Sequence, residues 1–415
     1  MTSTSPSPAS GHPEVEPGAP PEREPSYGVR LGSIAGVPVY LATSWFLIAG
    51  LIVVVFGPDI ASTIPRLGAA SYLVALAYAL LLAVSVVAHE VAHAVVARWC
   101  GYGVRRIVVN LWGGHTAYDA TGETPGHSAL VAVSGPVANA LLAGIGYAML
   151  PAVGPGVGRL LLVGWTFSNF FVAAFNLLPG HPLDGGGILD ALVWKVSGRP
   201  SAGRLAAGWG GRAVAAALVL FFVVLPLVRR ESVSLWTVAS VAMVGAFLWA
   251  GASAALERGR MMRVLEGITV AQVLVPCAPV PVGTAVGQVP DTVRAVLGRP
   301  GVPVVVDSSG APIGLVDLEA MQGLPESAAA LPVESVLVVQ PPGWVHPAPR
   351  RPDASVAPFV DPLVEDSRGV IVLRADDGHL VGVITAKALE DAWSAATGDR
   401  GDADRGSRVP PLPHA

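Results

Sequence analysis

The chain has 415 residues, of which 52% are hydrophobic and 13% are charged, and its formal net charge is -4. Soluble domains carry about 25% charged residues, so this composition indicates a membrane protein. No basic block of the kind that binds nucleic acid is present, which argues against that class of function. The two cysteines, Cys100 and Cys277, are far apart, which argues against a disulfide framework and a thiolate metal site.

Residues 1–30 form a predicted tail that is rich in Pro, Ser, Gly and Glu. Such a segment cannot bury enough apolar surface to offset its conformational entropy, so we expect it to be disordered. It lacks the basic stretch followed at once by an apolar run that marks a signal peptide.

Six apolar stretches follow, each close to the ~20 residues that a helix needs to cross the hydrocarbon core. They are residues 41–56, 69–96, 128–150, 158–178, 213–228 and 235–256. Twelve basic residues flank these stretches on the side of the two termini and four on the other, the four being Arg66, Arg159, Arg229 and Arg230. This asymmetry predicts a multi-pass domain at 31–265 with both termini in the cytoplasm. The preference for arginine over lysine is typical of a GC-rich bacterial genome.

Residues 105–118, between the second and third apolar stretches, are rich in β-branched and aromatic side chains and contain Gly113-Gly114. The pattern predicts a hairpin that turns at the glycine pair. At membrane depth such backbone survives only against protein or beside a wet cavity. We therefore predict a polytopic α-helical membrane protein with about six transmembrane helices and a re-entrant β-hairpin.

After residue 266 the sequence becomes typical of a soluble protein. One pattern, a Val-rich strand, a polar turn, a second strand and a helix, occurs at 302–316 and again at 370–384. A repeat of this kind usually forms one compact pair. We predict a soluble α/β pair at 267–393, with units at about 267–325 and 333–393, and a flexible tail at 394–415.

The strongest chemical signal is His89-Glu90-Val91-Ala92-His93, near the end of the second apolar stretch. Residues four apart share a helix face, so both imidazoles can bind one metal ion, and Glu90 can accept a proton from a water beside it. The alternative is a set of interfacial polar residues satisfied by neighbours. Polar side chains inside a membrane span are costly and persist mainly with a function, which favours the metal site.

A catalytic zinc has three protein ligands and one open position, so another segment must supply the third ligand. Asp184 is the best candidate, because the Pro- and Gly-rich break at residues 176–186 lets its carboxylate turn inward between helices. His181, in the same break, is an alternative ligand, and His115 is a weaker one.

A further motif, residues 134–139 with the sequence Ser-Gly-Pro-Val-Ala-Asn, lies in the third apolar stretch. Its Gly-Pro pair permits close helix approach, and Asn139 offers an amide that can donate to a developing oxyanion or to substrate backbone. Asparagine in a membrane helix also often bonds only to a neighbouring helix, and the spacing favours neither role. For Asn169 and Asn176 the structural role is favoured.

The motifs at 89–93, 135–139 and 176–186 occur in order and together resemble the site-2 protease family of intramembrane zinc metalloproteases, in its six-crossing bacterial branch. The resemblance covers about residues 30–260, and the C-terminal repeat resembles a tandem pair of CBS domains. It implies one zinc ion per chain and assigns roles to a small set of residues. These are His89, His93 and Asp184 as zinc ligands, Glu90 as general base, Asn139 as the residue that holds substrate or oxyanion, and the hairpin around Gly113 and Gly114 as the substrate guide.

The same resemblance implies regulated intramembrane proteolysis in the plasma membrane. The substrate would be a membrane-anchored regulatory protein, such as an anti-sigma factor or a sigma-factor precursor, cut within or near its transmembrane segment. The CBS pair would modulate activity through an adenine nucleotide, docking or homodimer formation. Ala320 and Ala388 stand where relatives that bind ribose often place an acidic residue, so docking or dimerisation is about as well supported as nucleotide binding.

Two other classes of function remain open from the sequence. One is a membrane protein that retains substrates without cutting them, and the intact set of His89, Glu90, His93 and Asp184 argues against it. The other is a CBS-gated transporter or channel. Transporters often carry paired broken helices, whereas this sequence shows only one broken segment.

Overall fold

The structure, a computed structural model, describes residues 28–34, 36–110, 113–119, 122–351, 353–366 and 369–398. Most of the predicted N-terminal tail and most of the predicted C-terminal tail lie outside these ranges. Within them, the first strand begins at Val29 and the last helix continues to Thr397, past the predicted boundary at residue 393.

Among the residues that the structure describes, six helices are long and apolar enough to cross a membrane, which confirms the number predicted from the sequence. Their outer surfaces expose large apolar side chains such as Leu47 and Phe167. The helices of this half are α1 (Trp45–Thr63), α2 (Ala70–Trp99), α3 (Pro125–Met149), α4 (Val157–Asn176), α5 (Asp184–Ser197), α6 (Pro200–Val219), α7 (Leu225–Val228) and α8 (Leu235–Gly267). A π-helical stretch, Leu220–Val224, joins α6 and α7 into one span. The chain is therefore a multi-pass membrane protein.

Helices α6 and α8 pack closely along a seam of small residues. A Cβ at Gly208 would lie 2.7 Å from Cγ of Leu256, and a Cβ at Gly259 would lie 2.8 Å from Cγ of Leu205. Ala252, in the same seam, is fully buried. Small residues allow the two helices to approach closely. The resulting packing contacts hold the helices together, because lipid supplies no hydrophobic driving force for their association.

A four-stranded sheet packs beside the helices, with its strands β1 (Val29–Ile34), β2 (Val37–Leu41), β3 (Gly103–Asn110) and β4 (Gly113–Asp119) in that order. The predicted hairpin is β3–β4, but the prediction of its turn is wrong. Gly113 and Gly114 begin β4 and pair with Asn110 and Val109, so they lie in the strand. Gly114 serves close packing there, because a Cβ would lie 2.3 Å from Cγ of Glu90, whereas Gly113 has a φ of +122° and a Cβ there would meet nothing within 4 Å. Strands β1 and β2 were not predicted.

The chain leaves the helical conformation after α4 and returns to it at Asp184, as the Pro- and Gly-rich break predicts. A Cβ at Gly185 would lie 2.3 Å from a backbone oxygen of this turn, and a Cβ at Gly186 would lie 2.3 Å from the nitrogen of His181. Only glycine fits at these two positions of the turn. The backbone N–H of His181 donates to the oxygen of Ala207 in α6 at 3.0 Å, which fixes the turn against that helix.

The C-terminal pair, defined here as the two α/β units after α8, confirms the predicted repeat. Its elements are α9 (Val270–Val273), β5 (Leu274–Val275), β6 (Cys277–Pro281), α10 (Val289–Leu297), β7 (Val302–Val306), β8 (Pro312–Val316), α11 (Leu318–Gln322), β9 (Leu337–Val339), β10 (Val345–Pro347), β11 (Val370–Arg374), β12 (Leu380–Thr385) and α12 (Ala386–Thr397). The two sheets have the orders β6-β7-β8-β9 and β10-β11-β12-β5, each with one parallel pairing followed by two antiparallel ones. Strand β5 precedes the first sheet yet pairs in the second, and β9 joins the first sheet, so the units exchange strands.

Candidate active site

The C-terminal half of α2 carries His89, Glu90 and His93, and all three are buried. Because the two histidines are about one helical turn apart, their side chains leave the same helix face, with ring centroids 4.7 Å apart. Their Nε2 atoms face each other at 3.1 Å. The three residues form a group that could hold a metal ion.

Asp184, the first residue of α5, brings a carboxylate to the same point. Its Oδ2 lies 3.0 Å from Nε2 of His89, and its Oδ1 lies 3.4 Å from Nε2 of His93. His181, the alternative ligand, instead has its Nε2 3.4 Å from Oδ2 of Asp190. The structure thus brings the two imidazoles and Asp184 together and turns His181 towards another carboxylate.

In each neutral imidazole, Nδ1 carries the proton and uses it in a hydrogen bond. Nε2 is therefore left with a lone pair. Nδ1 of His89 donates to Oδ1 of Asn139 at 2.5 Å, and Nδ1 of His93 donates to the backbone oxygen of Val131 at 2.7 Å. A neutral imidazole has one N–H, which is used in these bonds. With both rings neutral, two lone pairs and a carboxylate converge at one point, an arrangement that a bound cation stabilises. Two imidazoles and one carboxylate suit zinc.

Gly135 of α3 leaves the space that a metal ion needs. A Cβ at this position would lie 2.4 Å from Nε2 of His93 and 2.5 Å from Nε2 of His89. Any side chain here would fill the point where the three ligand groups converge. Both the types of donor atom and the space that Gly135 leaves suit zinc, so these residues fit a bound zinc ion.

A chain of buried hydrogen bonds extends from His89 through α3 and α4 and back to α2. Nδ2 of Asn139 donates to Oδ1 of Asn169 at 2.8 Å, and Nδ2 of Asn169 donates to Oγ of Ser85 at 3.1 Å. Nε1 of Trp165 donates to the same hydroxyl at 2.7 Å. We call these four residues the histidine support chain, because they end on the ring nitrogen of a candidate ligand.

The histidine support chain changes the expected role of Asn139. Its oxygen accepts from His89 and its nitrogen donates to Asn169, so both ends of the amide are engaged. This geometry favours the orientation of a ligand over a direct contact with substrate. Ser85 and Trp165 were not predicted, because one polar residue in an apolar helix carries no spacing signal.

Glu90 is held by strand β4. Oγ1 of Thr116 donates to Oε2 of Glu90 at 2.9 Å. A Cβ at Gly114 would lie 2.3 Å from Cγ of Glu90, so this glycine makes room for the carboxylate. Sequence reasoning missed Thr116, because the register of β4 against α2 depends on long-range packing.

A cavity of about 680 Å³ opens in front of this group. Strand β4 forms one wall, which includes His115 and Tyr118. Burial raises the pKa of Tyr118 to about 12, and burial with the nearby charge of Arg106 lowers the pKa of His115. Both side chains are therefore neutral at pH 7, and they add no charge to the wall.

Replacing Gly135 with Ala should abolish zinc binding, because the new methyl group would occupy the metal position. We expect zinc affinity to fall by more than the roughly 100-fold that a lost outer-shell partner costs. The control is Gly144→Ala on the same helix, where a Cβ meets nothing within 4 Å. Zinc content of the purified proteins measures the effect, and equal zinc in both variants would contradict the assignment.

Replacing Asn139 or Asn169 with Ala should weaken zinc binding without removing a ligand, because His89 loses its fixed orientation. We expect a loss of about 10- to 100-fold in zinc affinity, with the larger loss at Asn139. The control is Thr166→Ala in α4, since that hydroxyl donates only to the oxygen of Leu162 within its own helix. Competition with a chelator of known affinity measures the change. Wild-type affinity in Asn139→Ala would remove the support role.

Known zinc metalloproteases are similar to this chain over the segment that carries the site. The model of peptidase family M50 matches residues 77–157 and 153–225, which contain the two histidines, Glu90, Gly135 and Asp184. The protein sll0528 of Synechocystis sp., named as a zinc metalloprotease, is 33% identical over 260 residues, which is 61% of this chain and 66% of that protein.

Rip3 of Mycobacterium tuberculosis, also named as a zinc metalloprotease, is 29% identical over 372 residues, which is 86% of this chain and 90% of that protein. A solved structure, a site-2 protease from Methanocaldococcus jannaschii, aligns with 55% of this chain and 95% of its own, at 23% identity and a TM-score of 0.40. The chain belongs to peptidase family M50, the site-2 protease family of zinc metalloproteases.

Proposed function

We propose that this chain is an intramembrane metalloprotease that hydrolyses a peptide bond within or near the transmembrane segment of a membrane-anchored regulatory protein. One observation carries the proposal. Two imidazoles and a carboxylate from separate segments converge beside a buried glutamate, next to a cavity at the edge of a sheet. Family membership supports the same activity.

The catalytic roles follow from the chemistry and the positions of these side chains. His89, His93 and Asp184 would hold zinc, which supplies Lewis-acid activation of water and of the peptide carbonyl. Glu90 accepts the proton of the attacking water and returns it to the nitrogen of the leaving amine. Thr116 keeps the carboxylate in place for both transfers through its hydrogen bond to Oε2.

Strand β4 is the element that would hold the substrate. It is the last strand of the described sheet, and it lines the cavity with Gly114, His115, Thr116 and Tyr118. An extended peptide can add to such an edge through backbone hydrogen bonds. A substrate helix must unwind to do so, which exposes its peptide bond to attack. The guiding role proposed for Gly113 and Gly114 thus belongs to the backbone of the whole strand.

The setting we propose is the bacterial plasma membrane, with both termini in the cytoplasm. The excess of basic residues on the side of the termini supports this orientation. The substrate would then be an anti-sigma factor, a sigma-factor precursor or a similar regulator that is released into the cytoplasm. A proteome comparison of membrane fragments between wild-type cells and cells that carry Glu90→Gln would identify it.

Replacing Glu90 with Gln should abolish cleavage while zinc stays bound, because the amide keeps the shape but cannot accept the proton. We expect a loss of roughly 10²- to 10⁴-fold in the rate of cleavage of a membrane-anchored substrate. The control is Glu257→Gln, which changes an exposed glutamate of α8. Chelation should likewise stop the wild-type enzyme, and added zinc should restore it. Proteolysis by purified Glu90→Gln would overturn the role of Glu90.

We further propose that the C-terminal pair modulates activity by closing the cavity. Ala357, Pro358 and Asp361 of the pair line the same cavity as Glu90. The N–H of Val356, beside them, donates to the oxygen of Ile268 at 2.9 Å. A movement of the pair relative to α8 would therefore widen or narrow the entrance. An adenine nucleotide, a docked protein or a second copy of the chain could cause such a movement.

Replacing Ala357 with Trp should narrow the entrance and slow cleavage without loss of zinc. We expect a drop of roughly tenfold in kcat/KM, equivalent to about 1.4 kcal/mol. The control is Ala330→Trp, at an exposed position of the pair that does not line this cavity. Wild-type cleavage by Ala357→Trp would show that the pair does not limit access. Titration of ATP or AMP into the full chain, read by thermal shift, tests the nucleotide separately.

A further inference from the structure

Arg212 is a charged residue inside a membrane span. It lies on α6, in the span Pro200–Val228. Its guanidinium carbon is 5.1 Å from the ring centroid of Trp209 and 4.8 Å from that of Trp249 on α8. The two indoles are 58% and 49% exposed, so this cluster lies on the outer surface of the helix bundle. A charge in such a place normally has a partner.

The guanidinium of Arg212 has no counter-charge among the residues that the structure describes. No carboxylate lies within 4.0 Å of it in those parts of the chain. Nη2 donates to Oγ of Ser253 at 3.2 Å, while the buried Nε has no hydrogen-bond partner. The aromatic rings stabilise the cation but accept no in-plane N–H bond. Apart from Ser253, the described residues therefore supply no acceptor for those N–H groups.

The position of Arg212 along its helix places it at the level of the lipid headgroups. Arg229, where the same span ends, follows 17 positions later. This separation is about 26 Å at ~1.5 Å per residue, close to the hydrocarbon thickness of about 30 Å. Arg212 and Arg229 thus lie near opposite membrane surfaces. Tryptophan is enriched at this level, which agrees with Trp209 and Trp249.

We propose that Arg212, Trp209, Trp249 and Ser253 form a binding site for the phosphate of an anionic phospholipid. Phosphate accepts the in-plane N–H groups of arginine, which are the groups left open here. The unneutralised charge favours a lipid without a compensating ammonium group, such as phosphatidylglycerol, over phosphatidylcholine.

The lipid site adjoins the turn that carries the candidate metal ligand Asp184. A Cβ at Gly211, next to Arg212, would lie 2.0 Å from the backbone oxygen of His181. A lipid bound across α6 and α8 therefore stabilises the seam against which this turn packs. The bound lipid is expected to raise the thermal stability of the whole membrane domain.

The test is native mass spectrometry of the purified full chain with phosphatidylglycerol or phosphatidylcholine, with inorganic phosphate as a separate arm. We expect one tightly retained phosphatidylglycerol, preferred over phosphatidylcholine by roughly fivefold, the effect of about one arginine near an anionic surface. Arg212→Gln should lose this preference, together with the increase in Tm that the lipid causes. Arg212→Lys keeps the charge and should retain part of the preference. This variant distinguishes loss of the binding site from misfolding.

The control variant is Arg159→Gln, because the guanidinium of Arg159 already donates to the oxygens of Leu150 and Val153. It should retain phosphatidylglycerol like the wild type. Equal retention of both lipids by the wild type, or an unchanged preference in a folded, zinc-containing Arg212→Gln, would overturn the proposal. An increase in Tm with inorganic phosphate that equals the increase with the lipid would show a site for free anions, and it would overturn the proposal as well.

Discussion

The candidate active site depends on one point in space where two imidazole nitrogens and a carboxylate meet. The Nε2 atoms of His89 and His93 are 3.1 Å apart, and Asp184 lies against both. A bound metal cation stabilises such a cluster. Several features of the chain serve this convergence, including the space left by Gly135 and the tight turn before α5. The Gly-Pro and Asp-Gly-Gly motifs are thus parts of the same site as the two histidines.

Burial in a membrane makes the outer hydrogen bonds of this site as important as the ligands. Each imidazole donates its N–H to a carbonyl oxygen, and one of these bonds continues through Asn139, Asn169 and Ser85. In an apolar surrounding an unpaired polar group is costly, so every member of such a chain constrains the next. The ring of His89 is oriented by residues on three helices, and the amide of Asn139 is fully used in that task.

The membrane domain and the C-terminal pair share the cavity in front of Glu90. Helix α8 runs from the membrane span to the first residues of the pair, and Ala357, Pro358 and Asp361 return to the cavity wall. The same helix packs on α6, where the arginine and tryptophan cluster faces the lipid surface. The turn before Asp184 rests on α6 as well. Short contacts therefore link the metal-binding group both to the lipid-facing cluster and to the pair.

Features that rest on local periodicity could be predicted from the amino-acid sequence alone. Hydropathy defined six spans, the four-residue spacing placed two histidines on one helix face, and the Pro- and Gly-rich break identified Asp184. Tertiary structure decided the rest. The position of Gly113 and Gly114 within β4, the partner of Asn139, the strand exchange between the C-terminal units and their place at the cavity all depend on contacts between distant segments. Local sequence does not encode these pairings, because they are set by how buried faces and hydrogen-bonding groups are satisfied together across the whole fold.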